Sequence, residues 1–172
     1  MRFFLLLFLF VVNISSPVMS EQKIVFVDMD RLVSISKPGS SIFDQLKDIN
    51  NKNLNFLKKE EKKFKEKEKK LIAQKNIISE TDFQNKVDEL KSEIKSYNQD
   101  RNKMIEEYNK LKIENTNNLL KQINPILTKY STDNKISIIL QKKDLIIGKK
   151  ELDITDKIIT IINDEIKEFK IK

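Results

Sequence analysis

Residues 79–123 read SETDFQNKVDELKSEIKSYNQDRNKMIEEYNKLKIENTNNLLKQI. Phe83, Leu90, Tyr97, Met104 and Leu111 recur at every seventh position, and Val87, Ile94, Arg101 and Tyr108 fill the alternate row. This repeat predicts a long helix with a seam for a partner helix. Leu119, Leu120 and Ile123 continue it, until Pro125 removes a backbone donor and predicts a kink or a restart. The start is equally marked. Ser79 as N-cap places Asp82 at the third helical position, and Ile78 can staple onto Phe83.

Towards the N-terminus, nothing interrupts a helix from Ile42 to about Ile78. Phe43, Asn50, Leu57, Phe64, Leu71 and Ile78 are spaced by sevens. Leu46 and Leu54 begin a second row, but Glu61 and Glu68 stand in the matching places further out. One apolar residue per heptad suits a helix with a single neighbour. The connection at 76–80 is short, so the two helices are expected to form an antiparallel hairpin. Each arm would reach on the order of 50–60 Å.

Both flanks change character. Ile24, Val25, Phe26 and Val27 form an apolar run without alternation, as in a strand covered on both faces. Asp28 or Asp30 can cap a short helix with Leu32, Val33 and Ile35. Lys37-Pro38-Gly39-Ser40-Ser41 is the clearest break, with Ser40 or Ser41 as the next N-cap. Past the hairpin, Lys135 to Leu140 is strand-like, and Leu145-Ile146-Ile147 before Gly148 predicts a further strand. Asp153 or Thr155 would cap a final helix carrying Ile158, Ile159, Ile161, Ile162 and Ile166. The fold class is therefore α+β, a small body with the hairpin inserted between the first and second strands. So small a body exposes apolar faces or strand edges, which suggests that several copies assemble.

Composition narrows the chemistry. The 172 residues include no Cys or His, so disulfides, thiolate catalysis, a Cys/His zinc site and a Ser-His-Asp triad are excluded. Gly occurs twice and Pro three times, while 34% of residues are charged, a balance that favours long helices. Lys outnumbers Arg by 30 to 3, a bias that an AT-rich coding sequence also produces. Residues 1–20 carry Arg2, a ten-residue apolar run from Phe3 to Val12, Pro17, and Val18-Met19-Ser20 before Glu21. That run is too short for a span of about 20 residues and reads as a secretory signal peptide.

The chain resembles the OmpH/Skp family of periplasmic chaperones. The resemblance rests on Lys23-Ile24-Val25-Phe26-Val27-Asp28-Met29 with Leu32-Val33, on Lys135-Ile136-Ser137-Ile138-Ile139-Leu140, and on Leu152-Asp153-Ile154-Thr155-Asp156, in the family's order. It implies a homotrimer. Residues 21–38 and 128–172 would form a β-rich trimerisation body, and residues 39–127 a coiled-coil tentacle. Three tentacles would enclose unfolded outer-membrane proteins in the periplasm without ATP. The oligomer interface is expected on Ile24, Phe26, Ile136 and Ile138.

Charge placement adds a candidate binding region. From Lys58 to Lys75 there are nine Lys (Lys58, Lys59, Lys62, Lys63, Lys65, Lys67, Lys69, Lys70 and Lys75) against four Glu, most of the excess of a +7 chain. A basic outer arm would attract an unfolded acidic client, anionic lipid or lipopolysaccharide. The plain alternative is a solvated helix face laced with pairs such as Glu61–Lys65 and Glu66–Lys70. Arg, which reads bases, is nearly absent, and an exported chain seldom meets nucleic acid, so that partner is disfavoured. Asp28 and Asp30 read as caps, Tyr97 and Tyr108 as seam residues with Arg101 reaching outward, and Asp153 and Asp156 as helix-start acids. No enzyme activity, catalytic residue, metal or cofactor is assigned. The competing function is a coiled-coil spacer or adaptor of the cell envelope that binds no unfolded chains.

Overall fold

The computed structural model describes residues 22–167 and 169–171, and the expected signal peptide lies outside them. Strand β1 (Lys23–Val27) pairs in parallel with β2 (Ile136–Gln141). A parallel pair needs a crossover, and here residues 28–135 supply it. The register sets Ile24 beside Ile138, Val25 beside Ile139 and Phe26 beside Leu140. Val25 and Val27 therefore point into the helical core, while Ile24, Phe26, Ile138 and Leu140 share the other face.

Helix α1 (Met29–Ile35) starts at Asp28, whose carboxylate accepts the Arg31 N–H at 3.0 Å. Helix α2 (Lys37–Gln74) follows at once. The hydroxyl of Ser36, not of Ser40 or Ser41, accepts the Gly39 N–H at 3.3 Å. The expected break at 37–41 is thus the first turn of α2, where a proline loses no helical hydrogen bond. Gly39 lies so close to α1 that a Cβ there would sit 1.7 Å from the Val33 carbonyl oxygen.

Helix α3 (Glu80–Asp133) begins at Ser79, whose hydroxyl accepts the Asp82 N–H at 3.1 Å as the sequence indicates. It continues through Pro125 as one helix, without the expected restart. Ile123 and Ile126, buried on either side of the proline, hold both turns against the body. Their burial offsets a helical proline penalty of about 3 kcal/mol.

The third strand expected at Leu145–Ile147 does not form. Residues 142–152 instead make an irregular strap with 3₁₀ turns at Lys142–Asp144 and Lys150–Leu152. The free edge of β1 is taken by Asp153, and the Ile154 N–H donates to the Phe26 carbonyl at 3.0 Å. Deprived of a strand partner, Ile146 and Ile147 are 99% and 89% exposed. The strap crosses the Phe26 ring at Gly148, where a Cβ would lie 2.6 Å from Cε1.

Helix α4 (Thr155–Glu165) has Ile154 at its N-cap, without a side-chain cap. Asp153, one residue earlier, accepts the Thr155 N–H at 3.0 Å. The Thr155 hydroxyl accepts the Asp28 N–H at 2.9 Å, and Arg31 pairs with Asp156 at 2.9 Å. These links tie the chain's two ends together. The core they enclose contains Val27, Leu32, Ile42, Leu119, Ile123, Ile158 and Ile162. It reaches Leu46 on α2 and the buried Asn115 on α3, so the roots of both arms are part of the body.

Asp153 gives the body an acid-sensitive contact. Its partial burial favours the neutral form, but hydrogen bonds from Thr155 and Lys142 and the Lys142 charge outweigh this and hold its carboxyl below the ordinary value. A depressed carboxyl stabilises the fold above its unfolded value of about 3.9 and loses that contribution as pH falls through the folded value. Asp153→Asn is expected to lower the urea midpoint at pH 7 and to narrow the difference from wild type at pH 3. An equal deficit at both pH values would remove the charge from the explanation.

Candidate functional site

The hairpin is assembled from its cross-helix contacts. Glu61 accepts from the Tyr97 hydroxyl at 2.9 Å, Lys67 pairs with Glu93 at 2.5 Å, and Gln74 accepts from Lys86 at 2.9 Å. Numbers rise on α2 as they fall on α3, so the arms are antiparallel. At 1.5 Å per residue, the 38 residues of α2 and the 54 of α3 span about 55 Å and about 80 Å.

Leu57, Phe64, Leu71 and Ile78 are half-buried against α3, as are Leu90, Tyr97 and Met104 against α2. Phe64 and Tyr97 meet edge to face with centroids 5.4 Å apart. Burial, then the hydrogen bond to Glu61, raises the Tyr97 hydroxyl pKa and keeps it a donor. The second row on α2 differs from the expected one. Asn53, Glu60 and Gln74 are half-buried, with Lys67 in register, while Glu61 and Glu68 lie to one side. Half of the α2 seam is thus polar, which makes the hairpin weakly zipped.

All nine lysines from Lys58 to Lys75 are exposed. Two of them are ion-paired among the described residues, Lys63 with Glu60 at 2.6 Å and Lys67 with Glu93. Such exposed pairs are worth about 0–1 kcal/mol each. Grooves along the seam define two sides of the hairpin. One side carries Phe56, Lys63, Lys67 and Lys70 of α2 opposite Lys86, Glu89, Glu93 and Asp100 of α3. The other carries Glu61, Lys65, Glu68, Ile94 and Asn98. Leu54 and Ile72 on α2, and Arg101 and Ile105 on α3, fall on this second side by helical spacing. Leu54, Ile72, Ile94 and Ile105 are 38–65% exposed. The sequence left the two sides indistinguishable, because it does not show how α2 is rotated against α3.

The four residues expected at the oligomer interface divide by burial. Ile24 and Ile138 are exposed cross-strand neighbours, joined on that face by Leu140. Phe26 and Ile136 are already buried within the chain, Phe26 beneath the strap and Ile136 in the core. Tyr108 packs against the body core and Arg101 is exposed. Among the described residues no group of acidic side chains could hold a metal ion, and no helix is long and apolar enough to cross a membrane.

A two-stranded parallel sheet bridged by one very long helical hairpin defines a recognisable class. The family model for outer membrane protein (OmpH-like) matches residues 23–162, and the chain belongs to that family. A crystal structure of a candidate outer membrane chaperone (OmpH-like) from Caulobacter crescentus CB15 superposes with a TM-score of 0.82. It is 17% identical and covers 88% of this chain and 89% of its own, so the likeness is one of fold. No curated protein sequence matches the chain.

Proposed function

We propose that this chain is an ATP-independent holdase of the periplasm that binds unfolded outer-membrane proteins and keeps them from aggregating. The observation that carries the reading is the hairpin itself, a long projection with separated, part-exposed apolar side chains and a half-polar seam. Such a surface offers many weak contacts, each worth roughly 25 cal/mol per Å² of apolar area covered. Weak, distributed contacts can hold varied unfolded sequences and release them without fuel. Membership of the OmpH-like family and the chaperone description of the Caulobacter protein support the same reading.

The functional unit is a homotrimer joined through the body, with residues 39–127 as its tentacles. Ile24 and Ile138 would meet the neighbouring copy, with Phe26 beside them under the strap and Ile136 supporting them from the core. The lysines from Lys58 to Lys75 would attract clients, anionic lipid or lipopolysaccharide over a range that salt shortens to about 10 Å. No catalytic reaction is assigned.

The test is to dilute a urea-unfolded outer-membrane β-barrel protein into the chain lacking residues 1–20. Native mass spectrometry is expected to show a trimer with one client, and light scattering is expected to show suppressed aggregation without nucleotide. A trimer that ignores the client would leave an envelope spacer instead. Replacing Lys62, Lys63, Lys65, Lys67, Lys69 and Lys70 by Gln is expected to weaken client and anionic-vesicle association while the trimer persists. Unchanged association in low salt would rule out the basic arm as an attractor.

A further inference from the structure

The two sides of the hairpin differ in a way that assigns them different work. On the side of Phe56 and Ser96, lysines of α2 face acids of α3. Lys63 and Lys67 are ion-paired, and Lys70 lines the same groove as Glu89 and Glu93. That side is close to neutral and spends its charges on itself. On the side of Asn98, Leu54, Ile72, Ile94 and Ile105 stand exposed. Around them lie Lys58, Lys65, Lys69 and Arg101, none of which makes an ion pair among the described residues. The nearby acids are Glu61 and Glu68, with Glu66 three residues before Lys69, and Glu61 already accepts from Tyr97. Apolar exposure and unneutralised positive charge therefore coincide on one side of the hairpin.

We propose that this side receives the unfolded chain, and that it selects segments in which apolar residues alternate with acidic ones. The proposal rests on the holdase reading and adds a face and a chemical class to it. The spacing of the apolar residues suits an extended occupant. Ile94 and Ile105 are separated by about 16 Å and Leu54 and Ile72 by about 27 Å of helix, too far apart for one compact apolar patch. Charge complementarity supplies the rest, since acids beside each apolar anchor would meet lysines or Arg101.

The chain contains no cysteine, so single probes can be placed cleanly. Ser96 and Asn98 are two residues apart on α3, both exposed, and on opposite sides. Ser96→Cys and Asn98→Cys, each carrying a short photo-crosslinker, would be mixed with an unfolded β-barrel protein. The expected result is crosslinking from Asn98→Cys at several times the yield from Ser96→Cys. The combined Leu54→Ser, Ile94→Ser and Ile105→Ser variant is expected to bind the client about tenfold more weakly or worse. Phe56→Ser on the opposite side should bind as wild type does. Peptides of equal apolar content should bind better with Asp than with Lys at the alternate positions. Equal crosslinking from both probes, or a triple variant that still binds, would overturn the face assignment while leaving the holdase reading intact. A triple variant that loses anionic vesicles but keeps its client would reassign the side to the membrane. A wild-type protein that holds no client would overturn both.

Discussion

Gly39→Ala is expected to destabilise the protein by about 3 kcal/mol or more, at or above the top of the usual range for overpacking. The methyl group would sit 1.7 Å from the Val33 carbonyl oxygen and 2.6 Å from its carbon. Both are backbone atoms, so no side chain can swing aside. Relief requires α1 to move away from the first turn of α2, and α1 carries Leu32, which is fully buried in the core. The neighbouring Ser40→Ala provides the control. Ser40 is exposed, and its loss should stay within about 0.5 kcal/mol. Urea unfolding followed by circular dichroism would read both midpoints. Equal midpoints would mean that α1 yields without disturbing the core.

Ile158→Ala is expected to cost about 2–5 kcal/mol, the range for removing a large aliphatic side chain from a closed core. Ile158 is fully buried on α4, in the cluster that includes Val27, Leu32, Ile42 and Ile123. Its cavity would open where the N-terminal strand, the roots of the hairpin and the C-terminal helix meet. Leu71→Ala, in the outer half of the hairpin, should cost only about 1 kcal/mol because Leu71 is half-buried. The contrast tests where stability resides. A body that holds firm while the arms open cheaply suits a protein whose hairpin must adapt to its cargo. Similar losses at Ile158 and Leu71 would contradict that division.

The elements that were legible in advance are the local ones. The row from Phe83 to Leu111 and the Ser79 cap lie within a few residues of what they specify, and the structure follows them, whereas Ile94 and Arg101 of the alternate row turn out exposed and Glu93 meets α2 instead. The two terminal strands were readable from their apolar runs, but that they pair with each other, and in parallel, is seen only in the structure. The misreadings arose where a distant segment decided the outcome. Pro38 and Gly39 resemble a break until Ser36 is seen to cap the turn and α1 to pack against it. Pro125 resembles a kink or a restart until Ile123 and Ile126 are seen to be buried on either side of it. Leu145–Ile147 has the composition of a strand, but Asp153 occupies the edge of β1.

The same division holds for the candidate site. The sequence by itself determined that there is a long hairpin, that its apolar stripe is thin, and that positive charge gathers between Lys58 and Lys75. Periodicity and composition are properties of contiguous residues, so one strand of text carries them. Only the tertiary structure decided which of those lysines are neutralised and which stand beside exposed leucine and isoleucine. That depends on the rotation of α2 against α3, set by side chains such as Glu61 and Tyr97, or Lys67 and Glu93, which are 36 and 26 residues apart in the chain.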